Sequence, residues 1–284
     1  MTIVVTGATG HLGRHTVEAL LDRGVPAGDI VATGRNTDAL AALAERGVRT
    51  AVADFADPAS LKEAFAGADA VLLVSADVPG TRVELHRNAV EAAAATGVQH
   101  LVYTSAPNAR ETELILAPEH KATEEIIEAS GVPATILRNG WYTENYLPTV
   151  EQARATGQLV ASVGEGRVAS ASRRDYAEAA AVVLTTPGHQ GAVYELSGDT
   201  AWHFDDLADA IGQVVGRQVE YVRVTPDEQR AALIAHGLDE GTAGFVVALD
   251  GDTRKGLLGV VTGDLSRLIG RPTTPLLEGL RAAV

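Results

Sequence analysis

Short apolar segments alternate with helical segments over the first half of the chain. The helical segments carry apolar residues at three- and four-residue spacing and mostly end at a glycine, as at Gly24, Gly97 and Gly131. Between them lie six short apolar runs, at 2–5, 30–33, 50–53, 70–74, 100–104 and 134–137. Continuous apolar runs are typical of strands buried on both faces. This alternation predicts an α/β fold with a doubly wound parallel sheet.

The alternation stops after Gly140. Segment 159–171, which contains Gly164 and Gly166, is typical of two strands joined by a turn. Residues 175–184 predict a helix and 193–196 a strand that extends the parallel sheet, and short helices and turns are expected over the last sixty residues. We therefore predict a main domain with the parallel sheet over 1–150, with 174–200 packing back onto it, and a smaller α/β lobe over 151–284.

A glycine-rich turn joins the first apolar run to the first helical segment. Its sequence is Thr6-Gly-Ala-Thr-Gly-His-Leu-Gly13. Glycines let the backbone approach an anion closely, and a helix N-terminus presents free N–H groups to it. The spacing is a variant of the dinucleotide fingerprint, and its place between a strand and a helix supports a Rossmann-type pyrophosphate site.

The end of the second predicted strand indicates which dinucleotide binds. The sequence there is Ala32-Thr-Gly-Arg35-Asn36, without the acidic residue that would bind a ribose 2′-hydroxyl. Arg35 could instead bind a 2′-phosphate, which favours NADP, although a solvated surface arginine is the alternative. Asp54 and Phe55 follow the third strand, where they could contact adenine. The alternative for Asp54 is a turn residue.

Composition limits the classes of partner. A formal net charge of −14 argues against binding to nucleic acid or to an anionic membrane surface. The chain has no cysteine, and its eight histidines show no metal-ligand spacing, so no metal site is expected. Without an apparent leader or a bilayer-length apolar run, a cytoplasmic protein is expected. The sequence does not decide the oligomeric state, and a homodimer is one option.

Four further segments resemble one family. Together with the glycine turn they resemble the NmrA-like atypical short-chain dehydrogenase/reductases, and within them the chain looks closest to the bacterial NADPH:quinone oxidoreductases (type 2). The resemblance covers nearly the whole chain and is carried most specifically by Leu137-Arg-Asn-Gly-Trp-Tyr-Thr-Glu-Asn145 and Leu268-Ile-Gly-Arg-Pro-Thr-Thr274, with Gly34-Arg-Asn36 and Tyr103-Thr-Ser105 in support.

The resemblance implies an NADPH-binding Rossmann domain, a smaller lobe and a cleft where a quinone meets the nicotinamide. Position by position, it implies pyrophosphate contacts from the glycine turn, a 2′-phosphate contact from Arg35, and further contacts around the ribose and nicotinamide. The implied cofactor residues are Gly7, Ala8, Thr9, Gly10, His11, Leu12, Arg35, Val74, Ser75, Ala76, Tyr103, Thr104, Asn139, Gly140, Trp141, Tyr142, Thr143, Glu144 and Ser170.

The Tyr/Lys pair that short-chain dehydrogenases typically use is absent. Lys121 is present, but Ala117 stands four residues before it. In the alignment implied by the resemblance, His120 takes the tyrosine position and Glu124 the lysine position. Quinone reduction tolerates this loss, because the cofactor supplies the hydride and the protein mainly binds and orients. His120 and Tyr142 are the candidates for polarising or protonating a quinone oxygen. The alternative for His120 is a helix-surface residue paired with Glu124.

Aromatic residues cluster just past the sixth predicted strand. The chain has only twelve Trp, Tyr and Phe residues, and Trp141, Tyr142 and Tyr146 fall within six positions. Ligands of open α/β sheets bind beyond the carboxyl ends of the strands, and aromatic faces suit a planar ring. We therefore expect Trp141, Tyr142, Asn145 and Tyr146 to bind substrate. The alternative is that the aromatic residues join the second lobe to the sheet.

Two functions fit these observations. The first is NADPH-dependent hydride transfer to a quinone-type acceptor, supported by the glycine turn, Arg35 and the aromatic cluster. The second is an NADP-sensing regulatory protein without turnover, supported by the missing Tyr/Lys pair.

Overall fold

The computed structural model describes residues 1–78 and 80–284. A seven-stranded, fully parallel sheet organises the fold. Its strands are β1 Ile3–Val5, β2 Ile30–Gly34, β3 Arg49–Val52, β4 Ala70–Leu73, β5 His100–Ser105, β6 Ala134–Asn139 and β9 Val193–Leu196. They lie in the order β3-β2-β1-β4-β5-β6-β9. The six predicted strands and the predicted seventh are all present, so the predicted α/β fold with a doubly wound parallel sheet is confirmed.

Helices cover both faces of the sheet. One face carries α1 His11–Asp22, α2 Thr37–Ala44, α7 Arg173–Thr185 and α11 Asp264–Ile269. The other face carries α3 Pro58–Phe65, α4 Arg82–Thr96 and α5 Ala117–Ser130. Each face has its own apolar core, with Leu20, Ile30 and Leu72 fully buried in the first and Phe65, Val71 and Leu73 in the second. All four residues of β4 are buried and enter the two cores alternately, which explains why its sequence is continuously apolar.

A third apolar core lies beyond β6. Here α6 Leu147–Thr156, α8 Phe204–Val215 and α12 Leu276–Ala283 pack with two small sheets, one formed by β7 Gln158–Ala161 and β11 Glu220–Arg223 and the other by β8 Arg167–Val168 and β10 Trp202–His203. The remaining helices are α9 Pro226–Ala235 and α10 Glu240–Arg254. The division into lobes at residue 150 stays a prediction. Residues 173–196 belong to the main sheet layer, as β9 and the packing of α7 on α1 show.

Segment 159–171 contains the predicted two strands with a turn between them, since β7 ends at Ala161, the turn lies at 164–165 and β8 begins at Arg167. The two strands do not pair with each other: β7 pairs in parallel with β11, and β8 pairs antiparallel with β10. The segment between them contacts α10, where Ser162 N donates to Asp250 at 2.9 Å and a Cβ on Gly166 would meet Thr253 O at 2.4 Å. Helix α10 is longer than the short helices expected for this part of the chain, because its three glycines weaken the helical signal.

The C-terminal block is pinned to helix α7. Asp175, which is fully buried, accepts hydrogen bonds from Thr274 N at 2.9 Å and from Arg271 at 2.8 Å, and Ser172 caps the same helix. These contacts explain the polar residues of the Gly270-Arg-Pro-Thr-Thr274 segment as structural. No helix of the described ranges is long and apolar enough to cross a membrane.

Candidate active site

A cleft of about 750 Å³ lies at the carboxyl ends of the central strands, above the point where the strand order reverses between β1 and β4. This is the position where open α/β sheets bind their ligands. Seventeen predicted site residues line it: Gly7, Thr9, Gly10, His11, Leu12, Arg35, Asp54, Phe55, Val74, Ser75, Ala76, His120, Asn139, Gly140, Trp141, Tyr142 and Asn145.

The glycine turn presents unpaired amides to the cleft. Gly7 has φ +60° and Gly10 N donates back to Gly7 O at 2.9 Å, which closes the turn. The first main-chain amide of α1 with a helical acceptor belongs to Arg14, so the amides of 11–13 have no acceptor in the described chain. A Cβ on Gly13 would meet Gly7 O at 2.3 Å, so only glycine lets the helix pack this closely. The free amides at a helix N-terminus suit a pyrophosphate.

The β2 end has the charge that a phosphate needs. Arg35 is exposed at the cleft and forms no ion pair within residues 1–78 and 80–284. Its neighbour Asn36 caps α2 through Ala39 N at 3.1 Å, and Asp29, the nearby acid, lies at the opposite end of β2 beside the amino terminus. A Cβ on Gly34 would meet the Thr9 side chain at 2.6 Å, so Gly34 lets the glycine turn approach β2.

Asp54 and Phe55 border the same end of the cleft. The Asp54 carboxylate accepts from Ala56 N at 3.0 Å, as a turn residue does, while the Phe55 ring packs edge-on against His86 at 6.1 Å between centroids. Asp54 therefore has a structural role as a turn residue whether or not it contacts a ligand.

The loop after β4 is held over the cleft by buried hydroxyls. Val74 N donates to the Thr6 hydroxyl at 3.0 Å, and Ser75 N donates to the Thr104 hydroxyl at 2.9 Å. Ala76 N donates to His86 Nε2 at 2.9 Å. Thr104 is thus beneath the cleft wall and positions Ser75 instead of lining the cleft itself.

His120 is buried, contrary to the helix-surface alternative. Its Nδ1 lies 2.8 Å from the Tyr103 hydroxyl and its Nε2 lies 3.5 Å from Arg82. Arginine only donates, so Nε2 is the acceptor and Nδ1 carries the proton, which it donates to Tyr103. Burial and the Arg82 charge lower the pKa of His120 to about 4, and His120 is therefore neutral near pH 7.

A second buried histidine completes this network. Because His86 Nε2 accepts from Ala76 N, its Nδ1 must donate to the Thr123 hydroxyl, 2.9 Å away, which itself donates to Glu119 O at 2.8 Å. Burial, with the neighbouring His120 and Arg82, lowers the pKa of His86 to about 3. Tyr103 is fully buried, and burial raises the pKa of its hydroxyl above the usual range. Tyr103 supports His120 from below and does not line the cleft.

Glu124, at the position expected for a lysine, is a buried structural carboxylate. It accepts from Arg138 at 2.8 and 2.9 Å, from Arg110 at 3.1 Å and from Ser105 at 2.6 Å. Burial alone would raise its pKa, but the hydrogen bonds from Arg138 and Ser105 outweigh it and lower the pKa of Glu124. This carboxylate is therefore ionised and committed to Arg138.

Arg82 is a cleft residue that sequence reasoning missed. The guanidinium is buried and donates from Nε to Ala76 O at 2.7 Å, and NH1 lies 3.3 Å from the Glu119 carboxylate. These contacts hold the Arg82 guanidinium between the loop after β4 and the start of α5, next to Nε2 of His120. A charged residue at the start of a predicted helix gave no sequence signal of this role.

The aromatic cluster divides between the cleft and the third core. Tyr142 lines the cleft with the Arg173 guanidinium 5.0 Å from its ring centre, and its hydroxyl accepts from Asn139 Nδ2 at 3.2 Å. Burial raises the pKa of Tyr142, so the hydroxyl keeps its proton. Tyr146 instead packs edge-on against Trp202 at 5.3 Å. The predicted substrate contact thus has cleft access at Trp141 and Tyr142, and the lobe-joining alternative describes Tyr146.

Three predicted cofactor residues near the second lobe are structural supports. The Thr143 and Ser170 hydroxyls are buried 2.9 Å apart, and Ser170 also accepts from Trp202 at 3.1 Å. The Glu144 carboxylate accepts from Arg173 N at 2.9 Å, at the start of α7. The predicted site residues that do not line the cleft are Ala8, Tyr103, Thr104, Thr143, Glu144, Tyr146 and Ser170.

The described ranges contain no group of three or more metal-ligating side chains placed to hold an ion. The cleft instead combines a glycine turn, an exposed arginine, the buried neutral His120 and an aromatic wall. This combination defines a dinucleotide-dependent protein of the Rossmann type.

The chain belongs to the NmrA-like family, whose model matches residues 1–244. Among its relatives, Quinone oxidoreductase 2 of Escherichia coli (strain K12) is 43% identical over 98% of this chain and 97% of that protein, and the NAD(P)H azoreductase of Xenophilus azovorans is 28% identical over 99% and 97%. The crystal structure of the E. coli NADPH-dependent quinone oxidoreductase complexed with NADPH superposes with a TM-score of 0.94, at 42% identity and 99% coverage of both chains. That of the Citrobacter sp. triphenylmethane reductase complexed with NADP(H) gives 0.93, at 36% identity and complete coverage of both. The predicted family is confirmed.

Proposed function

We propose that this protein is an NADPH-dependent oxidoreductase that transfers a hydride to quinone-type acceptors. The observation that carries the proposal is the continuity of the cleft, which runs from the glycine turn and Arg35 to the Trp141–Tyr142 wall. The similarity to the E. coli quinone oxidoreductase over nearly the whole chain supports the same function.

The residues present fit a bound NADPH. The unpaired amides of 11–13 would hold the pyrophosphate, and Arg35 would hold the 2′-phosphate. At the other end of the cleft, Asn139 Nδ2 donates to the Tyr142 hydroxyl, while Asn139 Oδ1 is buried without a hydrogen-bond partner in the described chain. A buried unpaired acceptor costs stability, and the carboxamide N–H of a nicotinamide would satisfy it. The walls of the cofactor site would be formed by Asp54, Phe55, Val74, Ser75, Ala76 and Gly140. The predicted residues that do not line the cleft would support these walls from beneath.

When bound, NADPH supplies the hydride. A hydride would bring two electrons and one proton to the quinone, so negative charge would develop on a quinone oxygen. Arg82 is placed to stabilise that charge, since its guanidinium is fixed by Ala76 O and Glu119 before any acceptor arrives. The Tyr142 hydroxyl accepts from Asn139, so its own proton is free to be donated in a hydrogen bond to the acceptor.

His120 acts through Arg82 in this scheme. A neutral imidazole with an accepting Nε2 cannot deliver a proton near pH 7, so His120 is a positioning residue and Tyr142 the remaining proton-donor candidate. The hydroquinone anion takes its second proton from Tyr142 or from water. The protein thereby needs no Tyr/Lys pair.

A cytoplasmic location, the absence of a nucleic-acid partner and the homodimer belong to the same proposal. The net charge of −14 supports the absence of a nucleic-acid partner. Light scattering during size-exclusion chromatography distinguishes the monomer from the homodimer.

Steady-state NADPH oxidation at 340 nm, with a panel of benzoquinones and naphthoquinones, tests the function. Turnover is expected with several quinones. Tight NADPH binding without turnover of any quinone would favour the NADP-sensing regulator, the second candidate, which the missing Tyr/Lys pair supports.

A further inference from the structure

A second, smaller cavity adjoins the cleft. It has a volume of about 230 Å³ and lies beyond the ends of β6 and β9, under the loop 257–262 that follows α10. Pro107, Gly140 and Leu258 line both this side cavity and the cleft, so they form the boundary between the two. The side cavity therefore adjoins the acceptor end of the cleft, where Gly140 precedes the Trp141–Tyr142 wall.

Most of the groups that the side cavity leaves without a hydrogen-bond partner are apolar. Its aliphatic lining comes mainly from Leu196, Leu257, Leu258 and Val260. Glu195, the one charged residue in the described lining, accepts from Arg138 at 2.7 Å and from Asn108 N at 3.0 Å, so the carboxylate is already paired.

The hydroxyl groups of the side cavity are also satisfied. Ser197 Oγ accepts from Thr262 N at 3.1 Å, and Thr262 Oγ1 donates to Glu195 O. Among the described lining residues, no polar side-chain atom is buried without a partner, in contrast to Asn139 Oδ1 in the cleft, and the amide of Asn108 lies at an exposed position. Away from Asn108, a ligand of this cavity would gain little from polar groups and would gain from burying hydrocarbon.

The side cavity reaches solvent at Val260. That residue is 63% exposed although it contributes to the lining. A chain attached to a ring in the cleft could thus pass the Gly140 boundary and leave at Val260. At about 30 Å³ per heavy atom, the volume accommodates about eight heavy atoms.

We propose that the side cavity is a subsite for the aliphatic side chain of the acceptor, and that the protein reduces quinones bearing a short alkyl or prenyl substituent in preference to the bare ring. This inference rests on the proposed function, since the ring must lie in the cleft. The preferred substituent is uncharged and extends to about eight carbon atoms.

A series of 2-methyl-1,4-naphthoquinones with alkyl chains of zero to ten carbons at position 3 tests the subsite. We expect kcat/KM to rise by two- to fourfold per methylene and to level off near eight carbons. Val260→Trp places an indole at the mouth and should remove the chain-length dependence while leaving the reduction of the unsubstituted ring and the KM for NADPH unchanged. Val261→Trp is the matched control, because Val261 is also exposed, at 47%, but does not line the side cavity.

Equilibrium binding of the same oxidised quinones in the presence of NADP⁺ provides a readout without turnover. Binding is followed by tryptophan fluorescence in the wild type and by calorimetry in the variants. Reduction of the bare ring, with affinity independent of chain length, would overturn the subsite and leave the proposed function standing. Equal effects of Val260→Trp and Val261→Trp, or a raised KM for NADPH in Val260→Trp alone, would also overturn it. Absence of any turnover would refute the proposed function, and the binding series would still decide whether the cavity takes hydrocarbon chains.

Discussion

The two buried histidines beneath the cleft make the stability of the fold depend on pH. His86 and His120 are neutral in the folded protein, with pKa values lowered to about 3 and about 4 by burial and by the Arg82 charge. In the unfolded chain each returns to an ordinary value near 6.5. The unfolded state therefore binds more protons between pH 6.5 and pH 4, and the free energy of unfolding falls as the pH falls through that window.

The expected size follows from the number of histidines. The slope of each approaches about 1.4 kcal/mol per pH unit below pH 6.5, so the pair contributes about 4 kcal/mol between pH 7 and pH 5. Burial also lowers the pKa of His100 and His189, which adds to the slope in every variant. The difference between wild type and a variant isolates the contribution of the replaced residue.

Urea unfolding at pH 7, 6 and 5, followed by tryptophan fluorescence, measures this slope. His86→Gln and His120→Gln should each reduce the loss of stability between pH 7 and pH 5 by about 2 kcal/mol. His236→Gln, at an exposed position in the loop after α9, is the control and should retain the wild-type slope. Wild-type slopes in both buried-site variants would refute the assignment of His86 and His120 as neutral buried groups.

Three further outcomes follow from the cleft. Arg35→Ala should raise the KM for NADPH at least tenfold and leave the KM for NADH nearly unchanged. Arg46→Ala, at an exposed position just after α2, is the control and should change neither KM. An unchanged cofactor preference in Arg35→Ala would contradict the 2′-phosphate assignment. Gly13→Ala should destabilise the fold by about 2–3 kcal/mol in thermal unfolding, because its Cβ would meet Gly7 O at 2.3 Å. Gly28→Ala is the control and should be nearly neutral, because its Cβ meets open space. Equal effects of the two substitutions would refute the close packing of α1. Arg82→Gln should lower kcat for quinone reduction by about 10²-fold without changing the KM for NADPH. The wild-type kcat should stay level from pH 5.5 to 8, because His120 is neutral throughout this range. A kcat that falls as the pH rises through 6.5 would instead make His120 a proton donor.

The parallel sheet was predictable because its strands are buried on both faces. Runs such as 70–74 are apolar at every position, and the helices between them mostly end at glycines with positive φ, among them Gly97 and Gly131. The strand boundaries differ from expectation by at most two residues. The small sheets of the second lobe were less predictable, since β8 and β10 have two residues each and pair across long stretches of chain.

The cofactor end of the cleft was predictable from local sequence, and the acceptor end only in part. The glycine turn and Arg35 bring backbone amides and a positive charge to the cleft from one short segment each. The His120 network depends on contacts between helices, since Arg82 is 38 residues away in sequence. The same holds for Tyr146, whose neighbour Trp202 comes from another part of the chain. Periodicity carries no information about such pairs.

A single-turnover reaction tests the central claim most directly. The protein loaded with one equivalent of NADPH is mixed anaerobically with a naphthoquinone, and the NADPH consumed and hydroquinone formed are both quantified. We predict one hydroquinone for each NADPH oxidised, at a rate that Arg82→Gln lowers. NADPH that stays bound and unoxidised in the presence of every quinone tested would contradict hydride transfer as the function of this cleft.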